Sequence, residues 1–187
     1  MMTNLIRELR DLIPIRPLRF AEALRVAEIQ AAKMLLLCGV EEAPVRETII
    51  TELPKLQVER IYPLGASGFS QWAKGRWLIA LNNGEPPTRQ RFSLAHEFKH
   101  VLDHPFIKVL YPPEYGLSES QRREQACDHF AACLLMPRPW LKRAWGNGAQ
   151  DVDRLAVLFD VSKSAMDRRL QQIGLTERRT TRHGAAA

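Results

Sequence analysis

The chain has 187 residues, 45% of them hydrophobic and 26% charged, with a formal net charge of +6. That length suits one sizeable core burying roughly 70% of the unfolded surface, and the composition excludes a disordered, collagenous or membrane-embedded chain. Apolar runs such as Met34 to Cys38 are far too short to cross a bilayer, no signal peptide is read around Arg7 and Arg10, and three cysteines at no zinc-finger spacing fit a reducing cytoplasm.

Residues 1–17 read as a poorly defined lead, because Pro14 and Pro17 break any long helix. Across residues 18–38, Ala21, Leu24, Ala27 or Ile29, Ala31 and Leu35 recur at helical spacing until Gly39, which predicts one long scaffold helix. A shorter helix is expected over residues 46–53, ended by Pro54. Leu56 to Ile61 alternates apolar and polar side chains and predicts a half-buried strand. A turn-rich connector, Pro63 to Gly68, leads to strands over 69–73 and 76–81, joined at Lys74-Gly75 as a hairpin. These glycines neither open a helix nor precede a Lys-Ser/Thr pair, so no nucleotide-binding phosphate loop is read here.

Asn82 to Pro87 leads into a helix over residues 88–103, with Thr88 placed to cap it. This helix carries His96-Glu97-Phe98-Lys99-His100. Four residues of α-helix advance roughly 400° and rise about 6 Å, so His96 and His100 project from one face, one turn apart. Two neutral imidazoles there can hold two corners of a tetrahedral zinc ion, and Glu97 beside them has the place of a general base. Leu94, Phe98, Val101 and Leu102 form the apolar back of the helix. A solvated face carrying two histidines by chance shows the same five residues, and catalytic zinc needs a third protein ligand.

Glu124 supplies that ligand 24 residues after His100, on a second predicted helix that starts near Ser118 or Ser120 and stops at Pro137. Asp128 follows one turn later on the same face. The Glu124–Asp128 pair resembles that of the thermolysin-like glutamate zincins, where the aspartate accepts a hydrogen bond from a ligand histidine and fixes its tautomer. Two histidines and a carboxylate suit zinc best, with manganese and iron as alternatives. His104 stands four residues after His100, not the six of a metzincin third histidine, and reads as a helix end. Tyr111 and Tyr115 lie between the two helices; they either pack the loop or offer a hydroxyl to an oxyanion. Cys127 and Cys133 read as core residues, and His129 falls off the Glu124–Asp128 face.

Two segments carry a family resemblance: Arg91-Phe92-Ser93-Leu94-Ala95-His96-Glu97-Phe98-Lys99-His100, and the run from Glu124-Gln125-Ala126-Cys127-Asp128 to Met136-Pro137. Together they resemble the ImmA/IrrE family of metallopeptidases, over about residues 21–175. The resemblance implies an α+β zincin-like domain, here residues 18–145, with a small antiparallel or mixed sheet, the histidine helix and the glutamate helix. It implies His96, His100 and Glu124 as metal ligands, one Zn2+ per chain, Glu97 as general base and Asp128 as the residue that orients a ligand histidine. Phe98-Lys99 stands where Leu-Gly is common, and Cys127 and Cys133 are unusual for the family. The family resemblance further implies that a strand beside the histidine helix receives substrate as an added β-strand. Trp77, Leu78, Ile79, Ala80 and Leu81 are the candidate, a fully paired structural strand being the alternative.

Pro139 to Trp145 reads as a short helix and Gly146-Asn147-Gly148 as a hinge. Residues 150–175 then form a helix-turn-helix-like segment: Val152, Leu155, Ala156 and Phe159 on one helix, a turn at Asp160-Val161-Ser162, and Ala165, Met166, Arg169, Leu170 and Ile173 on the next. Family members often carry one here. DNA binding would use Lys163, Ser164, Asp167 and Arg168, but packing or docking is the favoured role because Asp167 opposes phosphate and the net positive charge is scattered rather than run together. Residues 176–187 read as a disordered tail.

The expected function is a regulatory zinc endopeptidase. The resemblance implies that it cleaves a helix-turn-helix repressor or antitoxin, in a phage, mobile-element or toxin–antitoxin setting. The alternative is a metal-stabilised, non-catalytic regulator that binds DNA or a repressor through its C-terminal helices.

Overall fold

A computed structural model describes residues 4–114 and 116–177. The first helix, α1 (Leu5–Arg10), corrects the reading of a loose lead. Its Leu5 and Leu9, one turn apart, are buried in the main core. Gln30 Nε2 donates to the Leu9 carbonyl at 2.9 Å, and Arg10 Nη2 donates to the Val101 carbonyl at 2.8 Å. Pro14 and Pro17 therefore end a short helix rather than preclude one.

Helix α2 (Phe20–Leu37) buries Ala23, Ala27, Ala31 and Met34, the small residues allowing a close approach to its neighbours, while Ile29 remains exposed. The predicted helix over 46–53 contracts to one turn, α3 (Thr48–Thr51). Three strands follow: β1 (Leu56–Ile61), β2 (Gly68–Ala73) and β3 (Arg76–Asn82). Lys74 and Gly75 both have positive φ, 50° and 77°, the conformation that a tight two-residue hairpin turn demands.

Strand order is β1-β3-β2, with β1 parallel and β2 antiparallel to β3. The Trp77–Leu81 stretch is therefore the centre of the sheet. Trp77 pairs with Leu56 on one side and Trp72 on the other, and the pairing continues to Leu81, which faces Arg60 and Gly68. Both hydrogen-bonding edges are occupied, so this stretch cannot accept an added strand, contrary to its expected role as a substrate strand. The strand that faces the histidine helix with an open outer edge, among the described residues, is β2.

The histidine helix is α4 (Pro87–Asp103). It begins with Pro86 at the cap and Pro87 in the first turn, so Thr88 lies inside the helix and makes no capping bond. A 3-10 turn (His104–Phe106) and a short α5 (Ile107–Leu110) follow. The glutamate helix, α6 (Glu119–Leu135), is started by Ser118, whose hydroxyl accepts from the Gln121 amide at 3.2 Å. Helix α6 packs against both α2 and α4.

The chain closes with α7 (Arg138–Gly146), α8 (Val152–Phe159) and α9 (Lys163–Ile173). Asp151 and Ser162 cap the last two, and Asp160 takes the left-handed conformation that turns one into the other. Leu155, Phe159, Met166 and Leu170 join the same apolar cluster as Leu9, Phe98 and Phe130. Buried Arg91 reinforces this packing by donating to the carbonyls of Val45 and Asp160, at 2.5 Å each, and pairing with the Asp160 carboxylate. Arg169 does the same from α9, donating to the Met136 carbonyl at 3.2 Å. The helix-turn-helix-like pair is thus part of the common core. Residues 178–187, most of the expected tail, lie outside the described residues. Among the described residues no helix is long and apolar enough to cross a membrane.

Candidate functional site

Helix α4 buries Leu94, Ala95, Phe98, Val101 and Leu102 against the core, which turns His96 and His100 toward a cleft. Their rings meet edge to face, with Nε2 atoms 3.1 Å apart. Helix α6 brings Glu124 to the same point: Oε2 lies 3.2 Å from His96 Nε2 and Oε1 3.5 Å from His100 Nε2. One turn further on, Asp128 Oδ1 accepts from His96 Nδ1 at 2.9 Å. Glu97 is 8% exposed and lines the cleft with His96, Glu124 and Asp128.

These donors fit a metal ion. Tetrahedral zinc with Zn–N bonds of about 2.0–2.1 Å separates two ligand nitrogens by roughly 3.3 Å, close to the 3.1 Å observed. The electrostatics agree. Burial alone would lower the His96 pKa, but hydrogen bonds with Asp128 and Glu124 outweigh it and raise it to about 9. The two histidines hold the Glu124 carboxyl well below the ordinary carboxylate range. The site thus attracts a cation, which competes with a proton for the His96 Nε2 atom.

Cys127 enters the same cluster, its Sγ lying 3.5 Å from His100 Nδ1. His96, His100 and Cys127 also place ligand atoms within 4.8 Å of one another, an alternative donor set. The carboxylate set is the better fit. Cys127 sits against the Nδ1 edge of His100, opposite the Nε2 edge that meets Glu124, and burial pushes its thiol pKa well up, against the thiolate that zinc requires. One face of α6 thus presents Glu124 to both Nε2 atoms, Cys127 to His100 Nδ1 and Asp128 to His96 Nδ1.

Tyr111 is not in the cleft. It is 2% exposed and its hydroxyl donates to buried Asp103, so it has no free donor for an oxyanion. Tyr115 lies outside the described residues. His104 caps α4 and stacks edge-on against Trp77, with ring centroids 4.9 Å apart. Two contributors were not legible in the sequence. Gly68 opens β2 against Glu97, and a Cβ there would lie 3.0 Å from the Ala80 carbonyl oxygen and 3.3 Å from Glu97 Cγ. Phe92, one turn before His96, lines the cleft wall. Both depend on how β2 lies across α4, a tertiary relation with no local sequence signal.

Comparison with known proteins agrees with this architecture. The Peptidase M78 family model, described as the IrrE N-terminal-like domain, matches residues 58–171. The radiation response metalloprotease IrrE of Deinococcus radiodurans is 28% identical over 168 residues, covering 82% of this chain and 49% of that protein. A solved structure, a Mycobacterium tuberculosis transcriptional regulator, has a TM-score of 0.63 at 18% identity, covering 96% of this chain and 54% of that one; at this identity the likeness is one of fold. The chain spans about half the length of these relatives. With the family model covering more than half its length and the α4–α6 cleft in place, the chain belongs to the ImmA/IrrE family of metallopeptidases.

Proposed function

We propose that this protein is a zinc-dependent endopeptidase of regulatory type. The observation that carries the reading is the convergence of His96 Nε2, His100 Nε2 and the Glu124 carboxylate within 3.1–3.5 Å, in a cleft that also holds Glu97. His96, His100 and Glu124 would hold the metal. A bound zinc ion supplies a lowered water pKa and Lewis-acid polarisation of a carbonyl. Glu97, shielded between α4 and β2, takes the proton from the attacking water and delivers it to the leaving nitrogen. Asp128 holds His96 in the tautomer that presents Nε2, and Cys127 braces the far edge of His100. An extended substrate pairs with the outer edge of β2, where Phe69 and Trp72 already stand exposed.

The proposed substrate is a helix-turn-helix repressor or antitoxin, acted on in the cytoplasm. The intact Glu97 favours catalysis over a purely structural metal, which needs no base.

Freshly purified protein is expected to hold about one zinc per chain by mass spectrometry, and Glu124→Ala to lose it, since two histidines alone leave the site a ligand short. A wild-type protein that takes up no zinc when supplied with it would end the hydrolase reading. Asp128→Ala is expected to keep the fold but weaken zinc binding about 10–100-fold in chelator competition. Unchanged affinity would remove Asp128 from the site.

A further inference from the structure

A second cavity, about 490 Å³, opens beside the metal cleft between α2, α4, α6 and α9. The two share a wall, because Arg89, Phe92 and Asp128 line both. Asp128 also touches His96, so the mouth of this cavity is one side chain away from the converging imidazoles. Its lining is mixed: Leu24, Phe92 and Met136 give it an apolar patch among polar residues such as Gln125, His129 and Gln172.

Charge is distributed unequally around it. Asp128, engaged by His96, is the one acidic residue of the lining, against three arginines. Arg169 is buried and spent on the Met136 carbonyl, and Arg89 lies 3.8 Å from Glu85. Arg168 is exposed and, among the described residues, makes no salt bridge or side-chain hydrogen bond, so its charge is open to a ligand. Ser164 and Arg168, which a DNA reading would place in a groove, thus border a cavity that leads to the cleft. The other two residues of that reading are engaged locally: Lys163 pairs with Asp153 at 2.8 Å, and Asp167 accepts from Gln171 at 3.0 Å.

Resting on the peptidase reading above, we propose that this cavity is the specificity pocket of the cleft. It takes a bulky apolar substrate side chain beside the scissile bond, together with a neighbouring carboxylate held by Arg168. The apolar patch rewards burial of the first group, and Arg168 selects an acidic rather than a basic neighbour. The C-terminal helices then act in substrate choice.

Peptide hydroxamates, which anchor on zinc, test this without a known substrate. Probes carrying Leu-Glu, Leu-Lys or Gly-Gly, extended to either side of the hydroxamate, are titrated calorimetrically into zinc-loaded protein. In one of the two series the Leu-Glu probe is expected to bind roughly tenfold or more tighter than Gly-Gly, the scale of an apolar side chain entering a pocket. It is expected to exceed Leu-Lys by about threefold, the scale of one exposed ion pair. Arg168→Glu reverses the order of Leu-Glu and Leu-Lys, and Ala165→Trp, which narrows the cavity, removes the advantage of Leu. Equal affinity for the three probes in both series, or an order that Arg168→Glu leaves untouched, overturns the pocket while the peptidase reading stands. Failure of every hydroxamate to bind protein that holds zinc overturns both. An Arg168→Glu variant that loses retention on DNA with its probe order unchanged assigns α9 to nucleic acid and overturns the pocket.

Discussion

Glu97→Gln is expected to abolish cleavage, by about 10²–10⁴-fold, the range contributed by a positioned general base. Glutamine keeps the shape of the side chain against Gly68 and the cleft wall but cannot take a proton from water. Glu97 projects beside the ligand face rather than into it, so zinc content and melting temperature should remain those of the wild type. Cleavage of a peptide library followed by mass spectrometry, beside metal analysis and thermal melting, separates these outcomes. Wild-type turnover by the glutamine variant would remove Glu97 from the reaction. A variant that loses zinc as well would place Glu97 among the ligands instead.

The second large effect concerns stability and lies behind the site. Lys99 and Asp103, one turn apart on α4, are each 1% exposed and paired at 2.5 Å. The Tyr111 hydroxyl donates to the other Asp103 oxygen. Asp103→Ala is expected to destabilise the protein by about 3–5 kcal/mol, because a buried ammonium is left without its partner. For a chain of this size that is a fall in Tm of roughly 6–20 °C. Lys99→Met combined with Asp103→Leu and Tyr111→Phe should recover most of the loss, since no polar group then remains stranded. Chemical denaturation followed by circular dichroism measures both. A loss below about 1 kcal/mol in Asp103→Ala would show that water reaches Lys99 and that the network is not closed.

This network also explains one departure from the family pattern. Lysine stands at position 99, where the family commonly has glycine, and it is tolerated because α4 supplies Asp103 on the same inner face. Tyr111 joins from the following loop and is thereby drawn away from the cleft. Its hydroxyl offered an oxyanion donor when only its place between the two helices was known. The partner that claims it, Asp103, is set by how the loop folds back on α4.

Other readings failed for the same kind of reason. Trp77–Leu81 is apolar and directly precedes the histidine helix, which is as consistent with an edge strand as with a central one. The parallel pairing with β1 decides between them, and β1 begins 21 residues earlier, at Leu56. Leu5 and Leu9 have helical spacing but too short a run to stand out, and they form a helix because α2 and α4 bury them. Arg91 and Arg122 sit on helices among polar neighbours, with no local sign of their partners. Both are buried, Arg122 donating to the Leu18 carbonyl at 2.8 Å, because loop carbonyls with no other partner converge on them.

Local geometry accounts for everything that could be read from the order of residues alone. A helix repeats every 3.6 residues, so His96 with His100, and Glu124 with Asp128, share faces wherever those helices lie. The same periodicity marks the apolar backs of α4, α8 and α9, and alternation marks β1. Tertiary structure alone decided the relations between elements. It placed β3 at the centre of the sheet, set Gly68 against Glu97, turned Cys127 to the far edge of His100 and brought α9 alongside the cleft. These contacts join residues tens of positions apart, and the burial free energy that selects them belongs to the whole core rather than to any stretch of chain.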